Sequence, residues 1–493
     1  MQVTVNRKNI KFNPDASRVI ARLLFTSDER AINTIRSVLV MSKQEAAKAL
    51  SPVLRDFSMR HRNISKIFER HFKKVSRLFN LLNVDPDSLD ISQKILIGSY
   101  FTMEYSIESA AFFNPSIVEH PDQSETRSDE TRVIISFRAT GEGHISSIVF
   151  RTGVLDKNNN LTIEPVGKML EEANAIRRHV YNKKSFRKKL DDMKDINALI
   201  PSALILDKLN EKFTYGELRD TIQEARKSLH LTADKEILFN QIIWLARSHY
   251  DLNFSLDSNI SERVIFPVSI HEKNGIEDAR FVKFTDDNNE TIYYATYTAY
   301  DGVTVLPRLL NTRDFYHFHI LPLHGEIAQN KGMALFPRKV NGKYTMLCRL
   351  DGCNNYISYS EKINLWREAK LLQQPKFSWE LTQIGNCGSP IETPEGWLVI
   401  THGVGPVREY NLGAALFDLQ NPEIEIGRLK SPLLAPNAEE REGYVPNVVY
   451  SCGSMIKNDD LIIPYAMSDY ASTYATVNVR ELLNELKNSK EGA

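Results

Sequence analysis

Two adjacent carboxylates stand close to an arginine in residues 275–280, whose sequence is Gly-Ile-Glu-Asp-Ala-Arg. A carboxyl group can serve as a general acid or base when burial and neighbouring charges shift its pKa. Successive side chains on an extended chain point to opposite sides, so we do not expect Glu277 and Asp278 to share one site. From this motif alone, the simplest interpretation is an ion pair between one carboxylate and Arg280 in a loop.

Other charged and polar residues stand at the ends of apolar runs, where a fold could gather them. They are Arg138, Glu142, His144, Asn330, Lys331, Arg349, Glu392, His402 and Asp469. Residues of this kind at strand ends are usually solvated. Several of them interrupt apolar runs, however, as Arg349 does after Met346-Leu347-Cys348. They are therefore candidates for the lining of a shared polar pocket.

The composition argues against several classes of protein. The chain has 493 residues, of which 42% are hydrophobic and 25% charged, and its formal net charge is zero, so charge gives no reason to expect nucleic acid or an anionic membrane as a partner. No apolar run is long enough to span a bilayer, and residues 1–14 lack the apolar segment of a secretory signal. The four cysteines form no metal-binding pattern. These features predict a cytoplasmic protein with reduced thiols and no metal.

The first part of the chain has helical periodicity. Between residues 64 and 82 the apolar residues recur every three or four positions, and basic residues occupy the other faces. A solvated face is the favoured interpretation of those basic residues, over contact with nucleic acid or membrane. Helical spacing returns in residues 170–181, 215–229 and 235–250, and 479–486 has the pattern of a short closing helix.

Short apolar runs bounded by Gly, Pro, Asn and Asp predict strands elsewhere. They are residues 133–137, 145–150, 281–284, 292–300, 344–349, 397–402 and 461–465. We therefore divide the chain into a helical region (1–105), a first β unit (106–165), a helical insertion (166–250) and further β units with a closing segment (251–493). The last four runs lie about 50–60 residues apart, roughly the length of one propeller blade. Spacing alone leaves a β-sandwich as an alternative, but it argues against a parallel α/β sheet.

A series of motifs resembles glycoside hydrolase family 130. The motifs are residues 113–116, 136–138, 275–280, 296–302, 330–331, 335–337, 385–390, 393, 396–398, 401–404, 410–414, 418–419, 421–422, 443–450 and 452–453. They span about 110–165 and 252–478 and leave out the N-terminal helices and the insertion.

The resemblance implies a mainly β protein, a five-bladed β-propeller with an N-terminal helical region and a helical insertion. It also implies an inverting enzyme that acts on a β-mannoside oligosaccharide or glycoconjugate. Members are phosphorylases, which release mannose 1-phosphate, or hydrolases. Asp278 matches the family's proton donor, which is thought to act through a substrate hydroxyl group. An acid that is protonated near neutral pH needs a raised pKa, and we expect burial and neighbouring carboxylates to raise the pKa of Asp278. No cofactor is implied, apart from inorganic phosphate as co-substrate in a phosphorylase, and the helical parts could support a homo-oligomer.

The same resemblance assigns substrate or phosphate binding to seven further residues. They are Asn114, Arg138, Lys331, Arg349, His402, Tyr410 and Asp469. Lys331 and Arg349 match positions that contact phosphate, a dianion that cationic side chains bind well. These residues come from distant parts of the chain, and a propeller would bring them to one central pocket.

The attacking group is the open question. Phosphorylases usually carry Lys where this chain has Glu392, and Asp is common where it has Gly332. A carboxylate there would repel phosphate but could activate water, so we expect a hydrolase with Glu392 as general base. The alternatives are that Glu392 binds a sugar hydroxyl or pairs with Arg349, that the chain is a phosphorylase, or that it is a non-catalytic sugar-binding propeller. One glutamate of 439, 440 and 442 could also reach the site.

Overall fold

The computed structural model describes residues 3–177, 180–192, 202–228, 230, 232–269, 272–300, 302 and 305–489. Its N-terminal part is mostly helical and contains one short two-stranded antiparallel sheet. The elements are β1 (Val5–Arg7), β2 (Val19–Leu23), α1 (Asp28–Leu39), α2 (Lys43–Ser58), α3 (Ile64–Val75), α4 (Ile91–Tyr100) and β3 (Thr102–Ser106), where β2 pairs with β3. This agrees with the predicted helices.

The helix predicted over 64–82 forms as α3 followed by a 3-10 turn over Ser76–Leu82. Its apolar face is buried, with Phe72 and Val75 in one core cluster that also holds Leu96 of α4. Burying such side chains contributes about 1.5–3 kcal/mol each. The basic face stays outside this core, as expected for an amphipathic surface helix.

The first β unit and the insertion follow. Their elements are β4 (Ala111–Glu119), β5 (Thr131–Thr140), β6 (Ser146–Leu155), β7 (Leu161–Ile163), β8 (Glu171–Glu172), β9 (Asn174–Arg177), β10 (Tyr181–Asn182), α5 (Lys183–Asp192), α6 (Ala203–Leu206), β11 (Lys212–Phe213), α7 (Tyr215–Ser228) and α8 (Ala233–Ser248). The last two helices confirm the predicted periodicity of 215–229 and 235–250. The prediction for 170–181 is wrong, because β8 and β9 add to the edges of neighbouring sheets, whose hydrogen bonds outweigh a short helical pattern.

The remainder is β-rich and ends in one helix. The strands are β12 (Tyr250–Asn253), β13 (Arg263–Ile265), β14 (Ile276–Thr285), β15 (Thr291–Tyr300), β16 (Val305–Thr312), β17 (His317–Pro322), β18 (Ala334–Leu335), β19 (Tyr344–Cys348), β20 (Asn355–Ser360), β21 (Ala369–Gln373), β22 (Gln383–Asn386), β23 (Ile391–Thr393), β24 (Gly396–Val404), β25 (Tyr410–Phe417), β26 (Glu425–Arg428), β27 (Val449–Tyr450), β28 (Met455–Lys457), β29 (Asp460–Met467) and β30 (Ala471–Asn478), and the helix is α9 (Val479–Asn488). Each predicted strand run is confirmed.

Most strands belong to five sheets that follow one another along the chain. In order they are sheet 1 (β4-β5-β6-β13-β8, with β7), sheet 2 (β14-β15-β16-β17-β12-β9), sheet 3 (β18-β19-β20-β21), sheet 4 (β22-β24-β25-β26, with β23) and sheet 5 (β1-β30-β29-β27, with β28). The fold is thus mainly β with N-terminal helices, as predicted. Across the described ranges the sheets do not form a closed propeller, which stays a prediction.

Two strands cross the boundaries drawn from the sequence. β1, from the region predicted as helical, pairs with β30 and so joins the two ends of the chain in sheet 5. β13, which follows the insertion, pairs with β6 in sheet 1. The N-terminal arm is also held by a buried ion triad, in which Arg18 and Arg151 both bond to Glu108. Among the described helices, none is long and apolar enough to cross a membrane.

Candidate active site

Two β-bulges bring Asn114 and Asp278 face to face. The register of β4 shifts between Phe113 and Ser116, and that of β14 shifts between Glu277 and Arg280. Asn114 and Asp278 both adopt positive φ, at 50° and 56°, a region that costs energy for a residue other than Gly. Asn114 Nδ2 donates to Asp278 Oδ1 at 2.6 Å. The bulges therefore re-aim both side chains into one place.

Glu277 lies in the same cluster as Asp278, which corrects the expectation that the two would point apart. Arg138 Nη2 donates to Glu277 at 2.6 Å, while its Nη1 lies 3.6 Å from Asp278 Oδ1. Lys331 Nζ reaches the other oxygen of Glu277 at 2.5 Å. Strict alternation fails here because the bulge changes the direction of the side chain at Asp278.

Arg280 connects this charged cluster to sheets 4 and 5. Its guanidinium donates to the backbone oxygen of Asn386 at 3.0 Å, to the Asn386 side chain, and to the Tyr450 hydroxyl at 2.7 Å. Asn386 Nδ2 in turn donates to the Gly332 carbonyl at 2.8 Å. The expected ion pair between Arg280 and a neighbouring carboxylate is absent from the described part of the chain. The positive charge of Arg280 is therefore not neutralised by an ion pair, and it acts on the groups that line the pocket.

Arg349 and a neutral His402 form a second polar group beside Asn386. His402 Nε2 lies 3.4 Å from Arg349 Nη1, and its Nδ1 lies 3.3 Å from the Asn386 carbonyl oxygen. The ring of Tyr410 stacks at 6.0 Å from that of His402. Burial, with the charges of Arg349 and Arg280, holds the pKa of His402 well below its usual value, so the ring is neutral. No described carboxylate pairs with Arg349, and its buried Nε has no partner.

Asp469 completes the set from the turn between β29 and β30. Burial and the nearby charge of Asp278 raise its pKa to about 6, against the opposing effect of Arg138. The structure thus brings together eight of the nine residues expected at the site. They are Asn114, Arg138, Asp278, Lys331, Arg349, His402, Tyr410 and Asp469.

The charge state of Asp278 differs from that expected of a proton donor. Burial alone would raise the pKa of Asp278, but Arg138, Lys331, the hydrogen bond from Asn114, and Arg280 together outweigh it and lower the pKa. Asp278 is therefore ionised at neutral pH. The neighbouring carboxylates, expected to raise the pKa, are outnumbered by cations.

Glu392 lies outside this cluster, contrary to the expectation that it activates water there. Its carboxylate accepts two hydrogen bonds from Arg338, at 2.8 and 2.7 Å, and it is about two-fifths exposed. It lines a separate cavity of about 360 Å³ together with Lys283 and Thr285, which stand near the opposite end of β14 from Asp278. At roughly 3.3 Å per residue, that end is on the order of 15–20 Å from Asp278.

Glu392→Gln is expected to change kcat/KM by no more than about 2-fold, because the side chain is remote from Asp278 and neutralised by Arg338. A half-exposed ion pair of this kind contributes about 0–1 kcal/mol to stability. Steady-state rates and a thermal melt of the variant would check this. A loss of activity of about 10-fold or more in a folded variant would return Glu392 to the candidate bases.

The loop glutamates have other tasks. Glu440 is buried and bonded to Arg7 and to the Tyr465 hydroxyl, so it links β1 to β29 within sheet 5. Glu439 and Glu442 are exposed. In the described residues no group of three or more His, Cys, Asp or Glu side chains is placed to hold a metal ion.

Comparison with known proteins places this geometry in a family. Residues 228–488 match the glycoside hydrolase family 130 model, described as β-1,4-mannooligosaccharide phosphorylase. That match covers more than half of the chain. The chain belongs to glycoside hydrolase family 130. Family members are enzymes that act on β-mannosides, as phosphorylases or hydrolases.

Similar proteins of the family carry both kinds of description. A 1,2-β-oligomannan phosphorylase of Thermoanaerobacter sp. (strain X514) is 34% identical over 43% of this chain and 71% of its own length. A β-1,2-mannobiose phosphorylase of Listeria innocua is 31% identical over 50% of this chain and 68% of its own. One solved structure was reported with hydrolases of family 130 that target β-1,2-mannosidic linkages in Candida mannan. It has 15% identity, covers 76% of this chain and 87% of that chain, and gives a TM-score of 0.47.

Three residues of the cluster around Asp278 were not predicted from the sequence as members of the site. Glu277 was set aside by the alternation rule, and Arg280 was read as a loop ion pair. Asn386 was noted only as part of a motif. The available signal for Glu277 and Arg280 was the motif itself, because both lie with Asp278 in residues 275–280, which the family resemblance includes.

Proposed function

We propose that this chain is an inverting β-mannoside phosphorylase that cleaves a β-1,2-linked mannoside with inorganic phosphate and releases mannose 1-phosphate. A phosphate oxygen attacks C1 from the face opposite the glycosidic oxygen. The glycosidic bond breaks as the new bond to phosphate forms. The leaving oxygen receives a proton that originates from Asp278. The descriptions of the relatives are consistent with this choice.

The unpaired charge of Arg349 carries the proposal. Arg349 lies against His402, whose ring faces the same Asn386 carbonyl oxygen that Arg280 contacts, and Arg280 acts on the charge of Asp278. Neither arginine has a carboxylate partner in the described ranges. Arg138 and Lys331, in contrast, share Glu277. A dianion such as phosphate satisfies two such arginines, because guanidinium groups match phosphate oxygens in geometry and charge.

Phosphate binding would also prepare Asp278 for proton donation. The pKa of Asp278 is low because cations, chiefly Arg138 and Lys331, overcome the effect of burial. A dianion bound by Arg280 and Arg349 would offset part of the positive charge that acts on Asp278, so burial would then raise the pKa of Asp278. Proton uptake by Asp278 is in this way coupled to phosphate binding, and Asp278 carries its proton only when phosphate is bound.

The hydrolase alternative lacks the base that was assigned to it. Glu392, on β23, lines a cavity with Lys283 and Thr285 near the other end of β14, and its carboxylate is held by Arg338. Both carboxylate oxygens of Glu277 are engaged by cations, one by Arg138 and the other by Lys331. The carboxylate that favours a second candidate function is Asp469, whose pKa of about 6 suits a base for water near neutral pH.

The five sheets support a propeller arrangement, which we propose as the architecture. One strand of each sheet lies at the Asp278 cluster: Asn114, Asp278, Gly332, Asn386 and Tyr450 lie on or beside β4, β14, β18, β22 and β27 of sheets 1 to 5. The cavity beside Glu392 is likewise lined from the same five sheets, through residues 117–119, 281–285, 337–338, 389–392 and 453–456. The Asp278 cluster and the Glu392 cavity would both be lined in this way if the five sheets surround one central axis, with one of these two sites at each end.

Incubation with β-1,2-mannobiose in the presence and absence of phosphate tests the proposed function. Mannose 1-phosphate and mannose should form in equal amounts with phosphate, and turnover should fall by at least about 100-fold without it. Ion chromatography of the products measures both. In the reverse direction, mannose 1-phosphate and mannose should yield disaccharide.

Free mannose as the main product, at a rate independent of phosphate, would reject phosphorolysis in favour of hydrolysis. Sulfate in place of phosphate is the control for ionic strength, since it is a dianion that binds similar cations but yields no stable sugar ester here. It should inhibit the phosphorolytic reaction competitively.

A further inference from the structure

A polar cavity of about 370 Å³ lies between helix α3 and the outer edge of sheet 1. It is lined by residues of β2, of α3 and the turn before that helix, of β8, and of the segment after β12. Its volume is within the range of about 300–1,000 Å³ that is usual for small-molecule sites. This space is called the α3 cavity below.

The α3 cavity is distinct from the pocket that holds Asp278. In sheet 1, β8 lies four strands away from β4, which carries Asn114. At about 4.8 Å between neighbouring strands, that separation is on the order of 20 Å. All residues that line the cavity, except Ser255 and Asp257, also precede the residues shared with the family, 228–488. The cavity therefore belongs mainly to the additional parts of this chain.

Basic side chains form one wall of the α3 cavity. Lys66 and Arg70 line it from one face of α3, and neither forms an ion pair with a described carboxylate. Burial lowers the pKa of Lys74 on the same helix, and the positive charges of Arg70 and Arg22 add to this effect. Glu172 opposes them without outweighing them. An anion beside this wall would relieve the repulsion among its cations, and the positive end of the α3 dipole would add to the attraction.

Acidic side chains of β8 and of the segment after β12 form the other wall. Glu172 lines it without a hydrogen bond or ion pair to a described residue. Glu171 accepts hydrogen bonds from the Ser255 amide at 3.0 Å and from the Ser255 hydroxyl at 2.6 Å, and Asp257 is paired with Arg62 at 3.0 Å. A carboxylate has about four acceptor positions, so each of these groups can accept further hydrogen bonds from hydroxyl groups of a ligand.

We propose that the α3 cavity binds a phosphorylated monosaccharide, with the phosphate on the basic wall and the sugar hydroxyls on the acidic wall. Inorganic phosphate alone would be repelled by the acidic wall, and a neutral sugar would leave the basic wall without an anion. Ile20, Ile67 and Leu170 also line the cavity and offer apolar surface to the C–H groups of the ring. This proposal concerns binding alone and does not depend on the proposed function.

Isothermal titration calorimetry with mannose 6-phosphate tests the α3 cavity. The phosphate of this probe is not on the anomeric carbon, so the probe is not the product of the proposed phosphorolysis. We expect a Kd of about 0.1–1 mM. Inorganic phosphate and mannose should each bind at least about 10-fold more weakly, because each matches one wall only. Lys66→Ala/Arg70→Ala should raise the Kd for mannose 6-phosphate by at least about 10-fold, because it removes the charge-assisted contacts to the phosphate.

Lys73→Ala/Arg77→Ala is the matched control. It removes the same two charges from the same stretch of chain, but neither residue lines the cavity. Lys73 pairs with Glu69 at 2.7 Å, and Arg77 pairs with Asp28 at 2.8 Å. This control should leave the Kd within about 2-fold of the wild-type value. Thermal melts should show that both double variants are folded.

Arg349→Ala separates the α3 cavity from the catalytic pocket, and it should leave the Kd for mannose 6-phosphate within about 2-fold. Loss of binding in Arg349→Ala but not in Lys66→Ala/Arg70→Ala would place the probe in the catalytic pocket and overturn the proposal. It would also be overturned if the wild-type protein does not bind the probe, or binds inorganic phosphate equally well. The proposed function is tested by turnover, so either can fail without the other.

Discussion

Asp278→Asn is expected to lower the kcat of β-mannoside phosphorolysis by about 10²–10⁴-fold, the usual contribution of a general acid. The amide has nearly the same shape as the carboxyl group but cannot supply a proton to the leaving oxygen. Binding should survive better than turnover, because the cations and Asn114 that surround position 278 remain. The loss should therefore fall mainly on kcat, measured with saturating phosphate and mannoside.

The fold should persist in this variant. Asn114 Nδ2 can still donate to the side-chain oxygen at position 278, at the place where it now bonds Asp278 at 2.6 Å. Arg138 keeps Glu277 as a partner at 2.6 Å. Circular dichroism and a thermal melt separate a catalytic loss from unfolding.

Glu392→Gln is the matched control, since it makes the same change of carboxylate to amide outside the cluster. It should keep its activity while Asp278→Asn loses most of its own. A mannoside with a good leaving group gives a second check. Cleavage of an aryl β-mannoside needs little proton assistance, so Asp278→Asn should lose much less activity on that substrate. Near-normal turnover of mannobiose by a folded Asp278→Asn enzyme would sink the assignment.

The sequence allowed most strands of the fold to be predicted, because a strand in a half-buried sheet leaves a local pattern. Runs such as 292–300 and 397–402 are apolar and bounded by turn residues, and both became central strands. The family motifs also pointed to eight residues that now lie in one cluster. What these patterns lack is the arrangement of the sheets around each other, which long-range packing decides.

The bulges could not be predicted from periodicity. Alternation placed Glu277 and Asp278 on opposite sides, whereas the register shift in β14 turns both toward Arg138. A bulge inserts one residue into a strand and depends on the partner strand, so a single strand's pattern does not reveal it. Positive φ at Asp278 is likewise enforced by its surroundings.

The partner of Glu392 could not be predicted from the local sequence either. Arg338 stands on another part of the chain, after β18, and it holds the carboxylate from there. The predicted direction of the pKa shift of Asp278 was wrong for the same reason, because the pKa is lowered and not raised. Burial was foreseen, but the sign depends on how many cations surround the group, and these come from several sheets.

Arg349→Ala is expected to raise the KM for phosphate by about 10- to 100-fold, the value of one or two charge-assisted hydrogen bonds. The KM for the mannoside should change much less, because Arg349 contacts His402 and lies in no ion pair with the carboxylates that flank Asp278. Initial rates measured over a matrix of phosphate and mannobiose concentrations separate the two constants.

Arg349→Lys and Arg338→Ala make this test specific. A lysine restores the charge but not the planar fork, so it should recover only part of the phosphate affinity. Arg338 is also an arginine, but it pairs with Glu392 outside the cluster, and its removal should leave the KM for phosphate within about 2-fold. Added guanidinium ion should partly rescue Arg349→Ala, by returning the missing cation to the space that the truncation opens. An unchanged KM for phosphate in a folded Arg349→Ala enzyme would show that the unpaired arginine does not bind the nucleophile, and the case for phosphorolysis would lose the observation that carries it.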